Sequence, residues 1–239
     1  MSDVSKVTYV TKKSRSADKN YLLEELKTKL GDNDCCRKIF TELNRYCENN
    51  FNCEYDYKIP APYAFLDFLL KNPDHLIQTK ENFRESKETN KKREDLIFGN
   101  DNVRKDVQKE GLDELKKLMN NRKTNQRKWW IFEGDTQIDY MIDLGESLLF
   151  IVILKDDVPE STKWVEKRNK IVRIMEAVSE NENRKPYKVI FCAKHDVMSK
   201  YALSEEAWWQ DHLPHLKDDD NKIKELMSNC CFVTSPLSS

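Results

Sequence analysis

Residues 128–155 read KWWIFEGDTQIDYMIDLGESLLFIVILK, and the fold turns on how this stretch is divided. Its composition and period predict three short strands, at 129–133, 138–143 and 148–154. The last two are joined across the polar turn Leu144-Gly145-Glu146-Ser147. Residues 148–154 are continuously apolar, as expected of a central strand covered on both faces. A turn centred near Gly145 puts Asp139 on the first arm, opposite about Ile151, and Lys155 at the end of the second. A carboxylate beside a lysine at one end of a central hairpin is the site plan of metal-dependent phosphodiester hydrolysis. That chemistry needs hard oxygen ligands for Mg²⁺ and a cation to stabilise the phosphorane or help activate water. It also wants a second acid two residues before the lysine, on the same side of the strand. That position is Ile153, and an aliphatic side chain ligates no metal.

Downstream, the pattern predicts a helix of about twenty residues from Ser161, capped by Ser161 or Thr162 and apolar along Trp164, Val165, Ile171, Val172, Met175 and Val178. A buried strand at 187–192 (YKVIFC), two short helices near 205–213 and 221–227 and a last strand at 230–234 complete an alternating order. That order predicts an α/β sandwich on a mixed sheet.

Upstream, residues 1–17 are polar and rich in Ser and Lys, the composition of a mobile tail, with one strand-like piece at 7–10. Residues 18–127 are expected to be a helical region. Tyr21, Leu22, Leu26 and Leu30 mark one helix, and Ile39, Leu43, Tyr46 and Cys47 a second. A third, nearly all apolar, opens at Pro60 and Pro62 and ends before Asn72-Pro73. The charged run at 78–100 reads as a solvated helix face or a connector, and helical period resumes from Val103 to Met119. The basic run 120–128 contains Arg122, Lys123, Arg127 and Lys128; it is either a solvated loop or a patch that tracks phosphates.

Composition excludes several classes. Of 239 residues, 38% are hydrophobic and 35% charged, with a mean hydropathy of -0.80. Only 5 Gly and 7 Pro make an all-β chain rich in tight turns a poor expectation, and leave no Gly-rich phosphate loop. No G-x-S-x-G or H-E-x-x-H occurs. The net charge of -1 gives no global basic field. Cysteines at 35, 36, 47, 53, 192, 230 and 231 form no CxxC and combine with none of the four His at zinc-like spacing, which reads as reduced thiols in the cytoplasm. The opening MSDVSKVTYVTKKSRS lacks the apolar core of a signal peptide, and 148–154 is too short for a bilayer span.

The stretch WWIFEGDTQIDYMI, followed by LLFIVILK and STKWVEKRNKIVR, resembles the PD-(D/E)xK, or restriction-endonuclease-like, superfamily of nucleases. The order αβββαβ matches that superfamily's core, over about 128–192 and more loosely to 234. The resemblance implies a restriction-endonuclease-like core over 128–239 and says nothing of residues 1–100; the helical region before the core reads, on its own pattern, as a module that binds a protein partner or positions substrate. It implies an endonuclease using Mg²⁺ or Mn²⁺ on nucleic acid, with no membrane association. Asp139 would hold the metal, Lys155 would orient the attacking water and Glu133 would be an accessory ligand. Arg168, Asn169 and Arg173 would meet phosphate or brace the site. Ile153 leaves three alternatives. Another acid substitutes (Glu133, Asp156 or Asp157), or the site is dead and the chain is a binding or regulatory protein without a metal, or the natural residue at 153 has been altered. Each residue also has a plainer reading: Asp139 as a solvent-facing strand residue, Lys155 as the polar end of a buried strand, and the Trp129-Trp130 and Trp208-Trp209 pairs as packing rather than base stacking.

Overall fold

Phe51, Cys53, Tyr55, Tyr57 and Ile59 alternate with Asn52, Glu54, Asp56 and Lys58, which is the period of a strand, and Asn50–Ile59 forms one. It lies inside the region expected to be helical, and a preceding strand, Ser14–Asp18, overlaps the expected tail. The computed structural model describes residues 14–18, 24, 26–28, 37, 39, 41, 50–79, 86–119, 128–154, 162–181, 185–193 and 201–234. The strand-like piece expected at 7–10 lies outside them.

The chain is mixed α/β. Its six-stranded sheet has the order β1(Ser14–Asp18), β2(Asn50–Ile59), β3(Thr136–Asp143), β4(Leu148–Ile153), β5(Tyr187–Ala193) and β6(Cys230–Thr234). The first four strands pair antiparallel in sequence. β5 runs parallel to β4, and β6 parallel to β5, so each of these joins needs a crossover. Helix α4(Lys170–Asn181) makes the first crossover; α5(Glu206–His212) and α6(Asp220–Asn229) make the second. Helices α1(Tyr63–Lys71), α2(Lys87–Phe98) and α3(Asp101–Met119) are inserted between β2 and β3. The expected boundary at 127/128 therefore does not separate the sheet from what precedes it. Residues 24, 26–28, 37, 39 and 41 are helical, on the two helices expected there.

The expected strand at 129–133 is not one. A backbone hydrogen bond from Ile131 N to Lys128 O closes a turn, and Trp129, Trp130 and Phe132 pack instead into a cluster with α1, α2 and α3. The aromatic content that suggests a strand serves helix packing. Within that cluster α3 crosses α1 at Gly111, where a Cβ would stand 2.8 Å from Leu70 Cδ2.

The sheet is covered on both faces. On one, Ile171, Val172, Ile174, Met175 and Val178 of α4 are fully buried, together with Phe150 and Val152 of β4. At roughly 1.5–3 kcal/mol for each large apolar side chain taken from water, α4 is the main anchor of that face. On the other, Leu26 and Ile39 lie with Tyr140, Ile142, Leu149 and Ile151. β4 alternates strictly between the two clusters.

β2 and β3 do not alternate strictly. Cys53 and Tyr55 belong to the cluster of Leu26 and Ile39, whereas Tyr57 and Ile59 belong to the cluster of α4. Tyr140 and Ile138 divide in the same way on β3. An unbroken pleat would keep residues two apart on one face. The switch on β2 falls at Asp56, whose φ of 52° is left-handed, and the switch on β3 falls at Asp139. The Asp56 carboxylate accepts from Gln137 Nε2 at 2.8 Å, a short polar side chain suited to that backbone. A β-branched residue there is strained. Asp56→Val should destabilise the fold by about 1–2 kcal/mol in urea unfolding, and Asp56→Gly by less than about 1 kcal/mol.

Candidate functional site

The hairpin forms across the expected turn. Asp143 Oδ1 accepts from Gly145 N at 2.9 Å, Leu144 N donates to Ser147 O at 2.9 Å, and Gly145 takes a φ of 84°, which a glycine adopts without strain. The register differs from expectation by one residue: Tyr140, not Asp139, is opposite Ile151. Beyond that pair the β3–β4 ladder stops. Asp139 is half-buried at the point of divergence, and its Oδ2 accepts from the backbone N of Ile153 at 2.7 Å. A side chain thus takes over a bond that a continuing β3 backbone would have made. Asp139 is brought beside Ile153, the position where a second acid is wanted. Lys155, Asp156 and Asp157 lie outside the described residues, as do Arg122, Lys123 and Arg127.

Glu133 stands elsewhere in its chemistry. It is 3% exposed, and both its oxygens meet one guanidinium: Arg168 Nε at 2.8 Å from Oε2, and Arg168 Nη2 at 3.2 Å from Oε1. Arg168 is fully buried. Its Nη1 donates to Glu176 Oε2, and its Cζ lies 3.7 Å from the centre of the Phe65 ring. His215 Nε2 adds a 2.5 Å contact to Glu176 Oε1, with its ring against Phe65 and Phe68. Arg168 therefore meets carboxylates and an aromatic face inside the protein, which corrects its expected place among surface phosphate contacts. Burial by itself disfavours the charged guanidinium, but Glu133 and Glu176 outweigh it and hold the group above its ordinary value. Burial likewise pushes Glu176 up, yet Arg168 and His215 prevail and keep it below the ordinary carboxylate value.

The local backbone follows from this pairing. The expected helix from Ser161 begins only at Lys170, and its cap is Asn169, whose Oδ1 accepts from Ile171 N at 2.9 Å and Val172 N at 3.2 Å. Thr162 instead closes a small turn with Val165. The non-helical segment before Lys170 lets Arg168 turn inward. Arg173 is partly exposed; its Nη2 donates to Gly134 O at 3.4 Å, and its Nε lies 3.5 Å from Glu133 Oε2, so it braces the 133–134 turn. Lys128 is exposed and 3.6 Å from Glu114, which also accepts from Trp130 Nε1 at 2.9 Å. The Trp130 bond keeps Glu114 below its ordinary value despite burial.

Among the described residues, the donor set does not fit a divalent ion. Asp139 offers one carboxylate already bound to a backbone amide, Ile153 offers nothing, and Glu133 is spent on Arg168. Among the described residues no group of three His, Cys, Asp or Glu is placed to hold a metal. Nor, among them, is any helix long and apolar enough to cross a membrane.

Sequence reasoning missed Glu176 and His215. A signal for Glu176 exists: Ile171, Val172, Ile174, Met175, Ala177 and Val178 surround it and are all buried, so its charge needs a partner. The partner itself is not readable from local spacing.

No protein-family model, no curated protein and no solved structure matches this chain.

Removing one partner of a buried pair leaves the other charge uncompensated. Arg168→Ala should therefore cost about 3–5 kcal/mol in denaturant unfolding, whereas Lys167→Ala, at the exposed pair with Asp211, should cost less than about 1 kcal/mol. The low value of Glu176 fixes the pH sign. Its stabilisation is present above the unfolded-chain value of about 4.3 and is lost as pH falls through the lower folded value. The stability deficit of Glu176→Gln, measured by thermal unfolding, should accordingly be largest at neutral pH and shrink on acidification.

Proposed function

We propose that the chain is a degenerate descendant of a metal-dependent nuclease, one that keeps a restriction-endonuclease-like core and acts as a binding protein rather than by phosphodiester hydrolysis. The observation that carries this reading is the Arg168 fork on both oxygens of Glu133. It spends on the fold Glu133, one of the acids that could have replaced the carboxylate missing at Ile153. The topology supports the descent. An antiparallel β2–β3–β4 meander is followed by α4 and a strand parallel to β4, in keeping with the order αβββαβ, although its first strand comes from upstream of the helical insertion rather than from 129–133. Asp139 at the backbone of Ile153 supports it too, since 153 is the strand position where the second acid is wanted.

Nucleic acid is the partner class this descent favours. The exposed Lys128, the partly exposed Arg173 and the basic Arg122, Lys123 and Arg127 are the groups to meet phosphate. The inserted helices α1–α3 offer a second surface, toward protein partners.

The test compares the unmodified chain, Asp139→Ala and Ile153→Glu. Single- and double-stranded DNA and RNA are supplied with Mg²⁺ or Mn²⁺, and Mn²⁺ binding is followed by electron paramagnetic resonance. The unmodified chain is expected to bind nucleic acid in a salt-dependent way and to cleave none. Ile153→Glu should bind Mn²⁺ at least about tenfold more tightly than the unmodified chain. Cleavage by the unmodified chain that disappears in Asp139→Ala would overturn the binding-protein reading in favour of a migrated acid. Absence of metal binding, cleavage and nucleic-acid binding in all three would remove the nuclease descent itself.

A further inference from the structure

At the far end of β4 from Asp139 lies a cavity of about 710 Å³, walled among the described residues by α4, the entry to β5, α6 and the first turn of α1. Leu148, at the start of β4, pairs with Tyr187 of this wall, whereas Asp139 bonds Ile153 five residues further on. At strand rise that is roughly 16 Å away. The cavity thus lies at the turn end of the hairpin, away from Asp139.

Its charges nearly cancel in pairs. Lys222 Nζ bonds Glu225 Oε2 at 2.8 Å and contacts Ser179 Oγ. Lys185 Nζ bonds Asp143 Oδ1 at 2.7 Å. Glu176 is held by Arg168 and His215. Glu180 is the exception. Its carboxylate accepts from the backbone N of Tyr63 at 2.7 Å and of Ala64 at 3.2 Å, and among the described residues no cation forms an ion pair with it. Two neutral donors at the start of α1 compensate a half-buried anion incompletely. Burial pushes the Glu180 carboxyl up despite those two amides, with Glu176 adding to the push and His215 opposing it.

We propose that this cavity binds a small organic cation, an ammonium or guanidinium compound, whose charge pairs with Glu180. The volume suits an organic ligand; a bare metal ion would leave most of it to water. The Tyr187 hydroxyl, which shares Glu225 with Ser179, supplies a polar wall for the ligand's body. A guanidinium also matches a carboxylate bidentately, the geometry that Arg168 and Glu133 already display in this chain. The cation completes the pairing that the other lining charges among the described residues have.

The probe is agmatine, which carries both cationic groups, with glutarate as the anionic and 1,5-pentanediol as the neutral comparison, titrated into the full chain by calorimetry. Agmatine should saturate a single site, and Glu180→Gln should weaken it at least about tenfold. The glutamine keeps a carbonyl acceptor for the α1 amides, and circular dichroism checks that it folds. Should it fail to fold, carboxyl-carbon NMR of the unmodified chain decides: agmatine should lower the titration midpoint of Glu180. Three results would each overturn the proposal: glutarate or pentanediol binding as well as agmatine, affinity unchanged in a folded Glu180→Gln, or no saturation by about 10 mM.

Discussion

Arg168 is the group around which the rest of the molecule is arranged. A guanidinium without exposed surface is tolerable only if carboxylates and other electron-rich groups around it replace water, and here Glu133, Glu176 and the face of Phe65 do so. Each partner comes from a different part of the chain: the turn after Trp129-Trp130, helix α4 and helix α1. The pairing fixes the approach of the helical insertion to the sheet, because Phe65 and Phe68 also receive His215 from the segment before α6. Glu180 extends the same join by holding the first amides of α1. The gain of such a network over an apolar core of equal volume is small. What it sets is orientation, since a guanidinium fork accepts a carboxylate in few geometries.

Much of the fold was legible from residue pattern. Continuous apolar runs identify β4 and β5, and the turn at Gly145 identifies the hairpin, because covered strands and tight turns leave local signatures. Strand β6 and the two short helices before it also fall where their pattern puts them. β2 carried its signature as well, a period of two over Phe51, Cys53, Tyr55, Tyr57 and Ile59, but helical stripes on either side obscured it. Residues 129–133 show the opposite failure. Their aromatic composition suits a strand, yet tertiary packing against three helices uses it otherwise.

The site divides along the same line. Asp139 and Ile153 come together because both lie on one hairpin, within reach of period and turn. Glu133 and Arg168 are 35 residues apart, and no rule of spacing connects them. A buried ion pair is a long-range contact between residues that each look ordinary on a surface. Its trace in the sequence is indirect: an acid, Glu176, set directly between the apolar pairs Ile174-Met175 and Ala177-Val178.

The insertion of α1, α2 and α3 between β2 and β3 has a consequence for how the chain assembles. The β2–β3 ladder joins Ile59 to Thr136, so closing it carries the conformational entropy of a long intervening loop. The inserted helices share one cluster, so many of their contacts can form early and shorten the effective loop. The β3–β4 hairpin is local and needs no such help. Pairing of β2 thus falls late, and until then β3 presents an uncovered edge to any other chain in reach.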